Sequence, residues 1–451
     1  AAPRTRWRWA VPVAISASLI VVAALDVRMG DWLFPRRSLA GGGHRNVVLV
    51  VLDTVRYDDA LGSAPAMPNL ERFARNGLAF DQAWAAVPWT VPSHFAMLSG
   101  TDPWRLPFNR MERRFTKTMT LAPQRFRSAG YATASVSGNP LLSSEVGFGA
   151  GFDELSVSRG AGVCRSAIGD LLSRLWVHDL PRSPVCGWYI ASEVTDRALR
   201  FVRRARRPYF LMLNYMDAHD PYYVPPECEE EWRVRFPRAA REAWVNATHR
   251  DAELRRRTHD RYRAAMRCLD RSVGRLLDAL EADSDAATTT IVIAGDHGEQ
   301  FAERGLIGHG NSVYPEALRV PLVIRGPDVP GGRIGDPVSL TDLHTVLLQI
   351  LHPRRLGGPL RLLDPHRRRQ PVVAYFAAIH PRPSAAFSVI SSEAQYIRWN
   401  DGRETLLDTE SGAPLPLEAV PDLVSPARAL AIRETRTATK ANAFDGLGYL
   451  Q

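Results

Sequence analysis

Residues 47–52 read Val-Val-Leu-Val-Val-Leu and run straight into Asp53. An unbroken apolar run of strand length has no polar face to give to water, so it belongs inside a sheet covered on both sides. Runs of similar character follow at 131–136, 209–215 and 289–294. Helical periodicities lie between them, clearest where Tyr262, Met266, Leu269, Val273, Leu276 and Leu280 recur at spacings of three and four. Alternating strands and helices predict an α/β fold: a mostly parallel sheet sandwiched by helices. From about residue 371 the texture changes to short apolar runs separated by turns such as Asn400-Asp401-Gly402, which predicts a small C-terminal antiparallel α+β lobe. In parallel sheets ligands bind beyond the carboxyl ends of the strands. Two of the predicted strands end in acidic chemistry, Leu52-Asp53 and Ala294-Gly295-Asp296-His297.

Composition narrows the partners. The 451 residues carry Lys+Arg 57 against Asp+Glu 48, a net +9, yet only Lys117 and Lys440 are lysine. That arginine skew reads as a GC-rich genome. The basic runs are scattered and carry no nucleic-acid module pattern, so no nucleic-acid partner is expected. Near the start, Trp9 to Leu25 are uncharged and follow Arg4, Arg6 and Arg8. Residues 1–8 are then a basic flank, 9–25 a signal anchor or cleaved signal peptide (Val22-Ala23-Ala24 resembles a cleavage site), and 26–45 a linker. Either reading exports the rest of the chain, tethered to the membrane in the first case and secreted after cleavage near Ala24 in the second. The four cysteines, Cys164, Cys186, Cys228 and Cys268, suit an exported protein with paired thiols and equally suit four separate buried thiols. Cys164 with Cys186 is the pairing guessed. Asn246-Ala247-Thr248 has the form of a glycosylation sequon and is read as chance.

Asp53, Asp296 and His297 are hard or borderline donors at strand ends, a suitable set for one divalent cation. Singly, each is explained as well by helix capping. The local sequences carry more: Asp53-Thr54-Val55-Arg56-Tyr57-Asp58, Met67-Pro68-Asn69-Leu70, Trp89-Thr90-Val91-Pro92-Ser93-His94, Gly295-Asp296-His297-Gly298-Glu299, Gly308-His309-Gly310-Asn311 and Leu318-Arg319-Val320-Pro321-Leu322. Their order and spacing resemble the sulfatase branch of the alkaline phosphatase superfamily, from about residue 45 to 345. Gly402 to Asp408 and Gly448-Tyr449-Leu450 resemble the family's closing segments.

The resemblance implies an alkaline-phosphatase-like catalytic domain at 46–350, a small lobe at 371–451, and a metal-dependent esterase. Its nucleophile position falls on Thr90, on a loop leading into a helix that begins near Ser93 and whose N–H groups would face an anion. Coordination to a divalent ion would lower the pKa of that hydroxyl. The implied ligands are Asp53, Thr90, Asp296 and His297. His219, in Met216-Asp217-Ala218-His219-Asp220-Pro221-Tyr222, and His309 resemble the residues that contact the transferred group and the leaving oxygen. Arg56, His94 and Asn311 are candidate substrate contacts, although for Arg56 a buried pair with Asp58 or Asp59 explains the residue equally well.

Two departures change the chemistry implied. Sulfatases convert a Cys or Ser at the nucleophile position into formylglycine; threonine cannot give that aldehyde because its β-carbon bears a methyl group, so no formylglycine is expected. Thr54 stands where many sulfatases carry a further Asp ligand. Two carboxylates and an imidazole favour Zn or Mn, with Ca possible. Three functions are open: a hydrolase of phosphate or sulfate esters, a phosphoethanolamine- or phosphoglycerol-type transferase acting on envelope lipids or glycans, and an inactive relative kept for binding. The substrate expected is a small or envelope-linked anionic ester, its identity set by the insertions at 155–190 and 225–260.

Overall fold

The alternation of side chains along one strand builds two cores. A computed structural model describes residues 45–106, 119–158, 189–205, 207–220, 251–352, 371–376 and 385–431, together with short pieces between them. The main sheet contains β1 (Asn46–Leu52), β2 (Leu78–Trp84), β3 (Ala132–Ser137), β4 (Glu154–Val157), β5 (Tyr209–Tyr215), β6 (Thr289–Gly295), β7 (Arg319–Arg325), β8 (Gly332–Ile334) and β9 (Val338–Ser339). Their order is β8-β2-β7-β6-β1-β5-β3-β4, with β9 also beside β2. Val47, Leu49 and Val51 enter one core and Val48, Val50 and Leu52 the other. All six are fully buried, as the unbroken apolar run requires.

Five helices supply most of the cover. On the first face lie α2 (Thr90–Ser99), through Val91, Phe95 and Leu98, and α5 (Asp342–Leu351), through Leu343, Val346 and Leu347. On the second lie α1 (Pro68–Arg75), α3 (Ala191–Arg204) and α4 (Ala252–Glu281). In α4 the expected stripe from Tyr262 to Leu280 is buried, and Asp251 caps its start by accepting from the backbone N–H groups of Glu253 and Leu254.

The pairings of β1 with β5 and β6, of β5 with β3 and of β3 with β4 are parallel. The exception is β7, antiparallel to both β6 and β2. Its Pro321 sits at a register shift between Val320 and Leu322, where a missing N–H is tolerated. A second sheet, of β10 (Val372–Phe376), β11 (Ala386–Ile390), β12 (Ala394–Trp399), β13 (Glu404–Asp408) and β14 (Pro414–Leu415), is an antiparallel meander. One side of it, with Val372, Phe376, Ile390 and Trp399, joins the same core as α2 and α5. The other side packs against Leu423, Val424 and Ala427 of a helix at 421–431. The described residues accordingly belong to one compact unit.

A disulfide joins Cys228 to Cys268 on α4, with Cα atoms 6.0 Å apart. The bond closes a segment of 40 residues. By the chain-entropy model its removal costs about 4 kcal/mol. A Cys228→Ala/Cys268→Ala variant is expected to melt several degrees lower, and an unchanged melting temperature would show that the closure constrains little. The segment at 9–25, the Cys164–Cys186 pair, Asn246 and the Gly448-Tyr449-Leu450 ending lie outside the described residues. Among the described residues no helix is long and apolar enough to cross a membrane.

Candidate active site

Because β1 and β6 are parallel neighbours with Leu52 opposite Gly295, the next residue of each, Asp53 and Asp296, emerges side by side at one edge of the sheet. Both are fully buried, as is His297. One oxygen of each carboxylate and one imidazole nitrogen lie within 4.8 Å of one another. The first residue of α2, Thr90, completes the group: its Oγ1 is 3.1 Å from His297 Nε2 and 3.5 Å from Asp53 Oδ1. Ser93 Oγ donates to the Asp296 carbonyl at 2.7 Å and fixes that helix to the end of β6.

Neighbours divide the work of each candidate ligand. Asp53 Oδ2 accepts from Asn139 Nδ2 at 2.9 Å, and Asn214 Nδ2 stands at 3.5 Å, which leaves Oδ1 directed toward Thr90. Asp296 Oδ1 accepts backbone N–H groups from Thr54 and His297, while Oδ2 is buried with no hydrogen-bond partner. His297 Nδ1 lies 2.9 Å from the Gly298 carbonyl. A carbonyl only accepts, so Nδ1 carries the proton and Nε2 offers a lone pair to the site.

The charges explain why this set suits a cation. Burial, reinforced by the neighbouring Asp53, holds the Asp296 carboxyl well above the usual carboxylate range. Burial pushes Asp53 the same way, but the charge of His219 and the hydrogen bond from Asn139 are among the interactions that outweigh it, so its carboxyl lies below that range. Burial, with His309 nearby, keeps His297 well below its usual value and hence neutral. Two buried carboxylates, one with an oxygen that nothing satisfies, and a neutral imidazole with its lone pair turned inward fit a divalent ion.

Of the candidates read from the sequence for contact with the reacting group, two more converge here. His219 follows β5 and His309 follows the short ribbon of Gln300–Phe301 and Ile307–Gly308. The His309 ring lies 4.9 Å from that of His219 and 4.5 Å from that of His297, centre to centre. Three others have partners of their own away from that cluster. Arg56 is not turned to an anion: its guanidinium is almost wholly buried among Glu303, Asp59 and Asp58, and Nη1 also reaches the Glu299 carbonyl. His94 lies behind the Thr90 side chain, where its Nδ1 donates along α2 to the Thr90 carbonyl at 2.8 Å and its ring meets Phe148 edge-on. Asn311 spends its amide N–H on the Ile307 carbonyl, closing the turn beyond the ribbon. The Thr54 hydroxyl donates to the Asp53 carbonyl.

Sequence reasoning misses Asn139, Asn214, Glu299 and Tyr262. The Tyr262 hydroxyl donates to the Thr54 carbonyl and accepts from the Arg56 N–H, bracing the turn after β1. That turn needs bracing, since Thr54 has φ +60, a left-handed conformation unfavourable for a β-branched residue. Arg56→Lys, which cannot reproduce the fork of contacts to Glu303, Asp58 and the Glu299 carbonyl, is expected to lose about 1–3 kcal/mol of stability with KM unchanged within about twofold. A raised KM at unchanged melting temperature would return Arg56 to the substrate.

Comparison with known proteins names the class first. A protein of the alkaline phosphatase superfamily from Vibrio parahaemolyticus superposes with TM-score 0.59 at 16% identity, covering 88% of each chain. The phosphonate monoester hydrolase of Silicibacter pomeroyi superposes with TM-score 0.64 at 18% identity, covering 88% of this chain and 96% of its own. The fold is alkaline-phosphatase-like, as the sequence predicts. The Sulfatase family profile matches residues 45–352, and the chain belongs to the sulfatase family. Human iduronate 2-sulfatase is 25% identical over 381 residues, 73% of this chain. The match spans 66% of the human protein, just short of two thirds of its length.

Proposed function

We propose that the protein is a metal-dependent hydrolase of phosphate esters, or of sulfate esters, with Thr90 as its nucleophile. The observation that supports this most strongly is the Thr90 hydroxyl at the start of α2, 3.1 Å from the inward lone pair of His297 and beside the two carboxylates. Asp53, Asp296, His297 and Thr90 would hold one divalent ion, and this mixed donor set favours Zn or Mn over the oxygen-only shell typical of Ca. When bound, the ion supplies a Lewis acid that favours the ionised hydroxyl and offsets charge on the ester oxygens.

The protein's own groups account for the rest. The N–H groups of the first turn of α2 face the incoming anion. Thr90 Oγ1 bonds to phosphorus or sulfur as the bond to the ester oxygen breaks. His309 gives its proton to the departing alcohol, and His219 donates to a non-bridging oxygen. Water then attacks the Thr90 ester and releases the inorganic anion. A threonine bears no formylglycine, which places phosphate esters ahead of sulfate esters. An anionic ester, free or linked to the cell envelope, is the substrate class, and export through the 9–25 segment with the catalytic domain outside the cytoplasm is part of this reading.

Turnover of matched p-nitrophenyl phosphate, bis(p-nitrophenyl) phosphate and p-nitrophenyl sulfate by metal-loaded protein tests the proposal. Cleavage of a phosphate ester with about one equivalent of Zn or Mn is expected. Cleavage of sulfate alone with bound Ca would contradict the choice of ester and ion.

A further inference from the structure

The hydrolase reading leaves a buried carboxylate unused. Glu299 is fully buried, and His309 Nδ1 lies 3.2 Å from each of its carboxylate oxygens. The ribbon makes this pairing. Phe301 registers with Ile307 and Gln300 with Gly308 in antiparallel fashion, so the next residues outward, Glu299 and His309, face each other at its open end. Gly308 permits the approach: its φ is +81, which an L side chain rarely adopts. Arg56 ties the turn of the ribbon to its open end, pairing with Glu303 and reaching the Glu299 carbonyl.

We propose that Glu299 is a positioning residue for His309, an assignment that rests on the hydrolase reading above. Because both Glu299 oxygens lie 3.2 Å from His309 Nδ1, that nitrogen is engaged by the carboxyl group, and Nε2 is the ring atom assigned to the ester. In the first step Nε2 gives its proton to the alcohol oxygen as that oxygen leaves phosphorus or sulfur and Thr90 Oγ1 takes its place. In the second, Nε2 recovers a proton from the water that attacks the Thr90 ester, whose bond to Oγ1 breaks. The Nδ1–H stays on the ring throughout. Glu299 thus sets which nitrogen acts and where it points; it touches no substrate.

The test is a double-mutant cycle on metal-loaded protein with two esters of the same acid, p-nitrophenyl and methyl. The p-nitrophenolate leaves without a proton, whereas methoxide needs one. Glu299→Gln, which keeps the shape of the side chain, is expected to lower kcat for the methyl ester about 10- to 100-fold, with a much smaller loss for p-nitrophenyl and KM within about twofold. In a His309→Ala background the same change is expected to cost no more than about twofold. Glu299→Asp, which keeps the charge but shortens its reach, serves in the same cycle if the Gln variant does not fold. Equal losses for both esters, or losses that multiply fully in the His309→Ala background, would overturn the positioning role alone. A wild-type protein that cleaves neither ester would overturn the hydrolase reading and this assignment with it.

Discussion

Replacing Thr90 with Ala is expected to lower ester turnover on the order of 10⁴-fold or more, with the melting temperature held within a few degrees. The size of the effect follows from the site. Thr90 Oγ1 is the hydroxyl that faces both His297 Nε2 and Asp53 Oδ1, so on the proposed mechanism its loss removes the attacking atom and not merely a contact. The fold tolerates the change because Ala favours a helix more than Thr does, and the Thr90 carbonyl still accepts from His94 Nδ1. Thr90→Ser keeps the oxygen and is expected to retain measurable turnover. Steady-state rates on the preferred p-nitrophenyl ester, with thermal melts of each variant, check both halves of the prediction. Undiminished turnover by Thr90→Ala would remove Thr90 from the chemistry.

The second large effect concerns the ion. Asp296→Asn is expected to reduce bound metal from about one equivalent to a small fraction and to lower turnover by at least about 10³-fold. Stability separates this from simple misfolding. In the wild-type protein, chelation leaves two fully buried carboxyls beside each other, one held above its usual pKa by burial and by the other's charge. The metal-free wild-type protein is therefore expected to melt below the metal-loaded form, by an amount that grows with ion concentration in a titration. Asp296→Asn relieves that strain, so its metal-free form is at least as stable as metal-free wild type. Metal analysis and paired melts with and without chelator read the effect. A melting temperature that ignores the chelator would show that the acidic pair holds no ion.

The parts of this arrangement legible in the sequence are those in which chemistry and local pattern coincide. The run from Val47 to Leu52 has no polar face, so it reads at once as a central strand, and Asp53 at its end reads as a site residue. The six-residue stripe of α4 is equally plain. By contrast, β2 carries Asp81 and Gln82 in mid-strand, and β7 carries Pro321, features that argue against a strand. Tertiary partners override them: Asp81 accepts from Tyr57, and Pro321 occupies a bulge.

The partners of the candidate ligands are hidden for a different reason. Asn139 lies 86 residues and Asn214 161 residues from Asp53, and only the parallel order β1-β5-β3 brings their amides to its carboxylate. An isolated Asn has no periodicity or spacing to mark it. Arg56 shows the converse: the acidic Asp58 and Asp59 beside it signal a buried pair, and the structure adds Glu303, a partner that sequence position cannot reveal.

The central claim is that Thr90 carries the transferred group. Acid quenching of the metal-loaded protein during turnover, followed by peptide mapping with mass spectrometry, reads it most directly. A phosphoryl or sulfuryl adduct is expected on the peptide containing Thr90, absent from Thr90→Ala. An adduct on another residue, or turnover with no adduct at Thr90 under conditions that trap the intermediate, would contradict the claim.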